Sequence, residues 1–217
     1  MKRRIFLGLL AAPALLPVIA RAQVRAAPLT PADQADIARI EAYLNGLKTL
    51  KGRFLQVAPD GGTSSGTAWI QRPGRMRFQY DPPSPYLLVA GGGLVVFRDN
   101  QLNQTSNLLI GQTPLGILLA DNIRLSGPVT VTGISRLPDQ IQVTLVRNAD
   151  PGSGNLTLVF SDNPLALRQW SVIDGQRKET RVSLFNVELG GTFNQDMFYL
   201  ANPSQNGPKY NTPGSGG

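Results

Sequence analysis

A chain of 217 residues with neither cysteine nor histidine can form no disulfide and no Ser-His-Asp or Cys-His nucleophile, and it lacks the commonest metal ligand. Its formal charge of +7 falls to +3 without Lys2, Arg3, Arg4 and Arg21, which all lie near the N-terminus. The remaining cations form no arginine-rich run and have no aromatic ladder beside them, so nucleic acid is not an expected partner.

The N-terminal cations precede an apolar run, Ile5 to Ile19, and Ala20-Arg21-Ala22 has the small-x-small pattern that signal peptidase cuts after. Residues 1–22 are therefore expected to be a signal peptide cleaved near Ala22, which places the mature chain in the periplasm. The apolar run contains Pro13 and Pro17 and is shorter than the roughly 20 residues of a spanning helix. Arg3-Arg4-Ile5-Phe6-Leu7 also spells a twin-arginine signal, so the ordinary and folded-protein export routes both stay open. Residues 23–203 suit one domain able to bury a core without staples, and 204–217 read as a flexible tail with little to bury.

Thr30-Pro31-Ala32-Asp33 combines an N-cap residue, a first-turn proline and an acid, which predicts a helix start. Ile37, Ile40, Leu44 and Leu47 follow on one face, and the helix should end between Gly46 and Leu50. The period then changes to two. Met76, Phe78 and Tyr80 alternate with Arg75, Arg77 and Gln79, and Ile141, Val143 and Leu145 alternate with Gln140, Gln142 and Thr144. Ten or eleven antiparallel strands are expected, at 50–58, 65–72, 75–81, 86–90, 94–99, 102–106, 128–136, 139–147, 155–161, 166–174 and 178–189. Thr113 to Ala120 interrupts them with a cap, a proline and a dense apolar patch, which predicts a short helix laid on the sheet.

Chemistry is scarce in this pattern. There is no Walker sequence and no acid cluster with calcium-loop spacing, and Gly91-Gly92-Gly93 between strand-like runs is a hairpin turn, not a phosphate cradle. Neither an enzyme nor a cofactor or metal site is expected. A single antiparallel sheet with few helices to cover its apolar face predicts an incomplete or movable cover, suited to sheltering an apolar ligand; a plain packed core satisfies the same alternation.

Phe54-Leu55-Gln56, Gly66-Thr67-Ala68-Trp69-Ile70-Gln71-Arg72-Pro73, Phe78-Gln79-Tyr80-Asp81-Pro82-Pro83, Leu87-Leu88-Val89, the Thr113 to Ala120 patch and Asp196-Met197-Phe198 occur in an order that resembles the periplasmic outer-membrane lipoprotein carrier family, LolA. The resemblance covers nearly the whole mature chain. It implies a mainly β fold, an open and strongly curved antiparallel half-barrel with a helical lid over a hydrophobic cavity. It also implies a monomeric carrier that takes triacylated lipoproteins from an inner-membrane ABC-type releasing complex to an outer-membrane acceptor. By the same resemblance Arg72 is the lid clamp, Met76 and Phe78 match cavity positions and Leu115 and Leu118 match the lid; Ile40, Leu44, Ile70 and Tyr80, placed by spacing and alternation, are expected to join them in the acyl-chain cavity. With Arg72 facing inward, alternation turns Ala68 and Ile70 inward and Trp69 outward. The tail from Gly207 has little strand character and departs from the family's C-terminal extension. Two other readings remain: a periplasmic sensor on the same scaffold, or a carrier of another lipid.

Overall fold

The computed structural model describes residues 24–200; the expected signal peptide and the 204–217 tail lie outside them. The chain enters through helix α1 (Pro31–Gly46), whose start is a capping box. The Thr30 hydroxyl accepts from the Asp33 N–H at 3.2 Å while the Asp33 carboxylate accepts from the Thr30 N–H at 2.9 Å. Two otherwise orphaned donors are thereby satisfied, and Pro31 occupies a position where no N–H is needed.

A first meander follows: β1 (Thr49–Val57), β2 (Thr63–Gln71), β3 (Arg75–Tyr80), β4 (Tyr86–Gly91), β5 (Leu94–Asp99) and β6 (Gln104–Leu109). The β4–β5 turn needs positive φ at Gly92 and Gly93, 57° and 82°, which glycine adopts without strain. The sixth strand begins later than the 102–106 expected from sequence. Asp99 explains the shift, because its carboxylate accepts the N–H groups of Gln101 and Leu102 and holds them in a turn.

A crossing segment carries a 3-10 turn (Ile110–Gln112) and helix α2 (Leu115–Leu118) over the sheet to a second meander. That meander is β7 (Val129–Leu137), β8 (Gln140–Arg147), β9 (Gly154–Ser161), β10 (Ala166–Asp174) and β11 (Glu179–Leu189). The strand order is β6-β5-β4-β3-β2-β1-β11-β10-β9-β8-β7, one eleven-stranded antiparallel sheet whose edges, β6 and β7, do not meet. Pairing of β1 with β11, Phe54 opposite Leu184 and Val57 opposite Arg181, joins the two meanders.

The alternation predicted from sequence decides which face is covered. Inward residues Phe54, Ala68, Ile70, Met76, Phe78, Ile141, Val143, Leu145, Leu158 and Phe160 are buried in one continuous core, and Trp69 turns outward and is only half-buried. Helix α1 lies on this face with Ile40, Leu44 and Leu47 downward. Its N-terminal half is tied to the sheet by buried Asp36, which pairs with Arg39 at 3.1 Å and with Arg136 of β7. Asp162 completes the network, 2.9 Å from Arg39 and 3.2 Å from Arg136. Farther along, the Tyr43 hydroxyl accepts the Leu167 N–H at 3.1 Å and its ring meets Phe160 edge-on at 5.9 Å.

The chain finally returns to the outer face of β3 and β4 through a 3-10 turn, Gln195–Phe198. Outward-facing Arg77 donates to the Met197 carbonyl at 3.0 Å. Its cross-strand neighbour Val89 and the Phe198 ring are both buried in this small second cluster.

Candidate functional site

Between α2 and the sheet the concave face is not filled. A cavity of about 280 Å3 remains, floored by Met76, Phe78 and Tyr80 of β3 and roofed by Thr113, Pro114 and Leu115. Leu88 and Leu108 close one side, and Trp170, Val172 and Val182 the other. Aromatic edges give the floor its shape: Phe54 lies 4.8 Å from Phe78 and 5.0 Å from Tyr80, and Trp170 meets Phe78 edge-on at 5.9 Å. Four short residues of α2 cannot cover what the sixteen of α1 cover on the other half. Gly116 brings α2 close to the preceding turn, where any side chain would meet the Ile110 carbonyl.

The cavity is apolar at depth and polar at one end. Tyr80 is buried there with its hydroxyl donating to the Gln56 Oε1 at 2.8 Å. Burial pushes its phenol up to about 12, against a smaller downward pull from the Gln56 hydrogen bond. Gln56, Asp174, Lys178 and Thr180 complete this end of the lining.

At the opposite end of the strands, where β2 turns into β3, Arg72 is only 6% exposed. It donates from Nε and Nη2 to the Ala120 carbonyl at 3.2 and 2.7 Å, and from Nη2 to the Asp121 carbonyl at 3.2 Å. Its Nη1 donates to the carbonyls of Leu44 and, at 3.2 Å, Leu47. One guanidinium therefore satisfies the last carbonyls of α1 and the chain leaving α2 together, a task that suits five donors on a planar fork. Burial pulls its pKa down from the ordinary value, which Asp121 partly offsets, and the group keeps its charge. Neighbouring contacts strengthen the junction. The Asn45 side chain both donates to and accepts from the Ile123 backbone at 2.9 Å, the Glu41 carboxylate accepts the Leu125 N–H at 2.6 Å, and the Gly74 N–H donates to the Leu119 carbonyl at 2.9 Å.

Of the residues singled out from sequence, Met76, Phe78, Tyr80 and Leu115 meet at the cavity. Ile40, Leu44, Ile70 and Leu118 lie in the packed core beside it, each at most 1% exposed. Trp170, Val172, Val182, Gln56 and Thr180 also line the cavity and were not singled out. Their inward direction follows from alternation along β1, β10 and β11, which is the signal that marks them. Among the described residues no group of three or more acids is placed to hold a metal ion.

The chain is similar to known proteins. An outer-membrane lipoprotein carrier protein of Methylococcus capsulatus is 28% identical over 176 residues, covering 76% of this chain and 83% of the relative. One from Azotobacter vinelandii is 28% identical over 176 residues, covering 77% of this chain and 84% of its own length. A solved LolA superfamily protein from Nitrosomonas europaea aligns over 76% of this chain and 97% of its own, with 9% identity and a TM-score of 0.42. The family model described as outer membrane lipoprotein carrier protein LolA matches residues 45–201, which hold all eleven strands, the α2 roof and the returning C-terminal turn, and the chain belongs to that family.

Proposed function

We propose that this protein is a periplasmic carrier that holds the acyl chains of lipoproteins released from the inner membrane and delivers them to the outer membrane. The observation that supports this reading best is the pairing of an apolar cavity under α2 with a buried arginine that ties both lid helices shut. On this reading residues 1–22 are removed near Ala22, residues 23–203 form the carrier domain, and the mature protein acts as a monomer. Its partners are triacylated lipoproteins, an ABC-type releasing complex in the inner membrane and an acceptor at the outer membrane. Energy enters at the releasing complex, so the carrier needs no catalytic group.

Met76, Phe78, Tyr80 and Leu115 are the contact surface for acyl chains, and Ile40, Leu44, Ile70 and Leu118 become part of it as the lid lifts. Magnitudes explain why the lid must move. At about 0.8 kcal/mol per buried methylene, complete burial of one long acyl chain is worth on the order of 10 kcal/mol, too tight to hand on. A carrier that recovers the Arg72 hydrogen bonds on emptying returns part of that energy and promotes release.

The test is to purify the protein from the periplasm and identify its cargo by mass spectrometry, native and as Arg72→Leu. Co-purifying triacylated lipoprotein, retained longer by the variant and transferred more slowly to the acceptor, supports the carrier. Free lipid alone points to a carrier of another lipid. Empty protein, with transfer kinetics unchanged by the substitution, contradicts both the cargo and the clamp.

A further inference from the structure

Four of the strands that bound the cavity, β1, β3, β10 and β11, change character towards the same end. Reading from the Arg72 end, the inward residues run Phe54 then Gln56 on β1, Phe78 then Tyr80 on β3, Trp170, Val172 then Asp174 on β10, and Leu184, Val182 then Thr180 on β11. Register staggers these terminal residues from strand to strand: Gln56 pairs with Val182 and Thr180 with Val172, so each polar residue stands opposite the last apolar residue of its neighbour. Apolar side chains thus give way to polar ones along a diagonal layer at one end of the strands, and Gln56, Thr180 and Lys178 all line the cavity there.

Apart from the Tyr80 hydroxyl, the donors of this layer are left without partners. The Gln56 Oε1 is held by the Tyr80 hydroxyl at 2.8 Å, which orients the amide and leaves its NH2 group free. Among the described residues neither the Thr180 hydroxyl nor the Lys178 ammonium has a hydrogen-bond partner. Asp174, the layer's only carboxylate among the residues lining the cavity, commits Oδ1 to the N–H groups of Gln176 and Lys178 at 2.8 and 2.9 Å. An apolar shaft capped by unpaired donors complements a ligand whose apolar body ends in acceptors.

We infer that this layer is a headgroup subsite, in which Gln56, Thr180 and Lys178 donate to the ester and amide carbonyls where acyl chains join their glyceryl or peptide head. It rests on the carrier reading and adds to it a choice of ligand class. Acylated heads, which present carbonyl acceptors, are preferred over alkyl chains joined through ethers, which do not. Leaving such donors unpaired beside a bound ligand is the cost that produces the discrimination.

The experiment measures displacement of a fluorescent acyl probe from the full chain by dioctanoylglycerol and by its diether counterpart, dioctylglycerol ether. Chain length is the same in both, so only the carbonyls differ. The expected result is that the ester competes about five- to tenfold more strongly, as one or two hydrogen bonds would give. In Gln56→Leu/Thr180→Val/Lys178→Met the ester should fall to the level of the ether, and displacement by the ether reports that the variant is folded. Equal competition in the native protein, or a preference that survives all three substitutions, overturns the subsite while leaving the carrier intact. Failure of the probe and both lipids to bind overturns the subsite together with the carrier reading.

Discussion

The two halves of the concave face are made of the same kind of strand yet end in opposite states. Under α1 the inward residues Val143, Leu145, Leu158 and Phe160 meet Ile40 and Leu44 and form a dry core. Under α2 the inward residues Met76, Phe78, Tyr80 and Trp170 face a cavity of about 280 Å3. The difference lies in the cover. Helix α1 has sixteen residues, a capping box and an ion network fastening it to β7 and to the turn after β9, whereas α2 has four residues and is tied at its C-terminal end by Arg72 and the Gly74 N–H. An apolar sheet face becomes core or cavity according to how long and how firmly anchored its cover is.

Truncation should separate the halves most sharply. Phe160→Ala in the filled half is expected to cost about 3–5 kcal/mol of unfolding free energy, because a closely packed site collapses only in part. Leu115→Ala in the cavity roof should cost less than about 1 kcal/mol and instead weaken acyl-probe binding. Chemical denaturation beside a probe titration reads both. Equal stability losses would erase the distinction drawn above.

The anchoring of α1 offers the next test. Asp36→Asn removes a buried carboxylate that bridges Arg39 and Arg136, and it is expected to cost about 2–3 kcal/mol in a denaturant melt. That is below the figure for a fully buried pair because both arginines remain accessible to water. Acyl-probe affinity should change far less than stability, since the cavity lies under the other helix.

A pH titration sharpens the same contrast from the cavity side. In the unfolded chain a tyrosine loses its proton near 10, but buried Tyr80 keeps it until about 12. The folded state therefore binds the extra proton between those values, and its stabilising contribution, on the order of 2 kcal/mol, is complete below pH 10 and lost as pH rises towards 12. Tyr80→Phe should flatten that part of the stability profile. The smallest effect is expected from Thr30→Ala, which removes the capping hydroxyl of α1 and costs about 1 kcal/mol in thermal unfolding.

Much of this contrast is legible in the sequence, for local reasons. The start of α1 follows from Thr30, Pro31 and Asp33, whose interactions are all within one turn. The eleven strands follow from alternation and from turn residues such as Gly92 and Gly93. The division into core and cavity does not follow, because alternation reports which side chains face inward and not what lies above them. Ile70 and Met76 are cross-strand neighbours on the same inward face, yet Met76 lines the cavity and Ile70 does not. Trp170 and Val182 reach the cavity only because β11 returns to pair with β1, a contact between residues more than a hundred positions apart. Arg72 shows the reverse case, where a resemblance to known carriers drew attention to a residue that local pattern leaves at an ordinary strand end, and the fold buries it against two helices.

The two tryptophans allow the central claim to be measured directly, because Trp170 lines the cavity while Trp69 faces outward on β2. Trp69→Phe and Trp170→Phe variants each leave a single emitter, to be titrated with an acyl chain brominated near its end, which quenches on contact. The account predicts saturable quenching of Trp170 with little change at Trp69. Quenching of Trp69 to the same extent, or no quenching of Trp170 at acyl-chain concentrations that displace a bound probe, would contradict it.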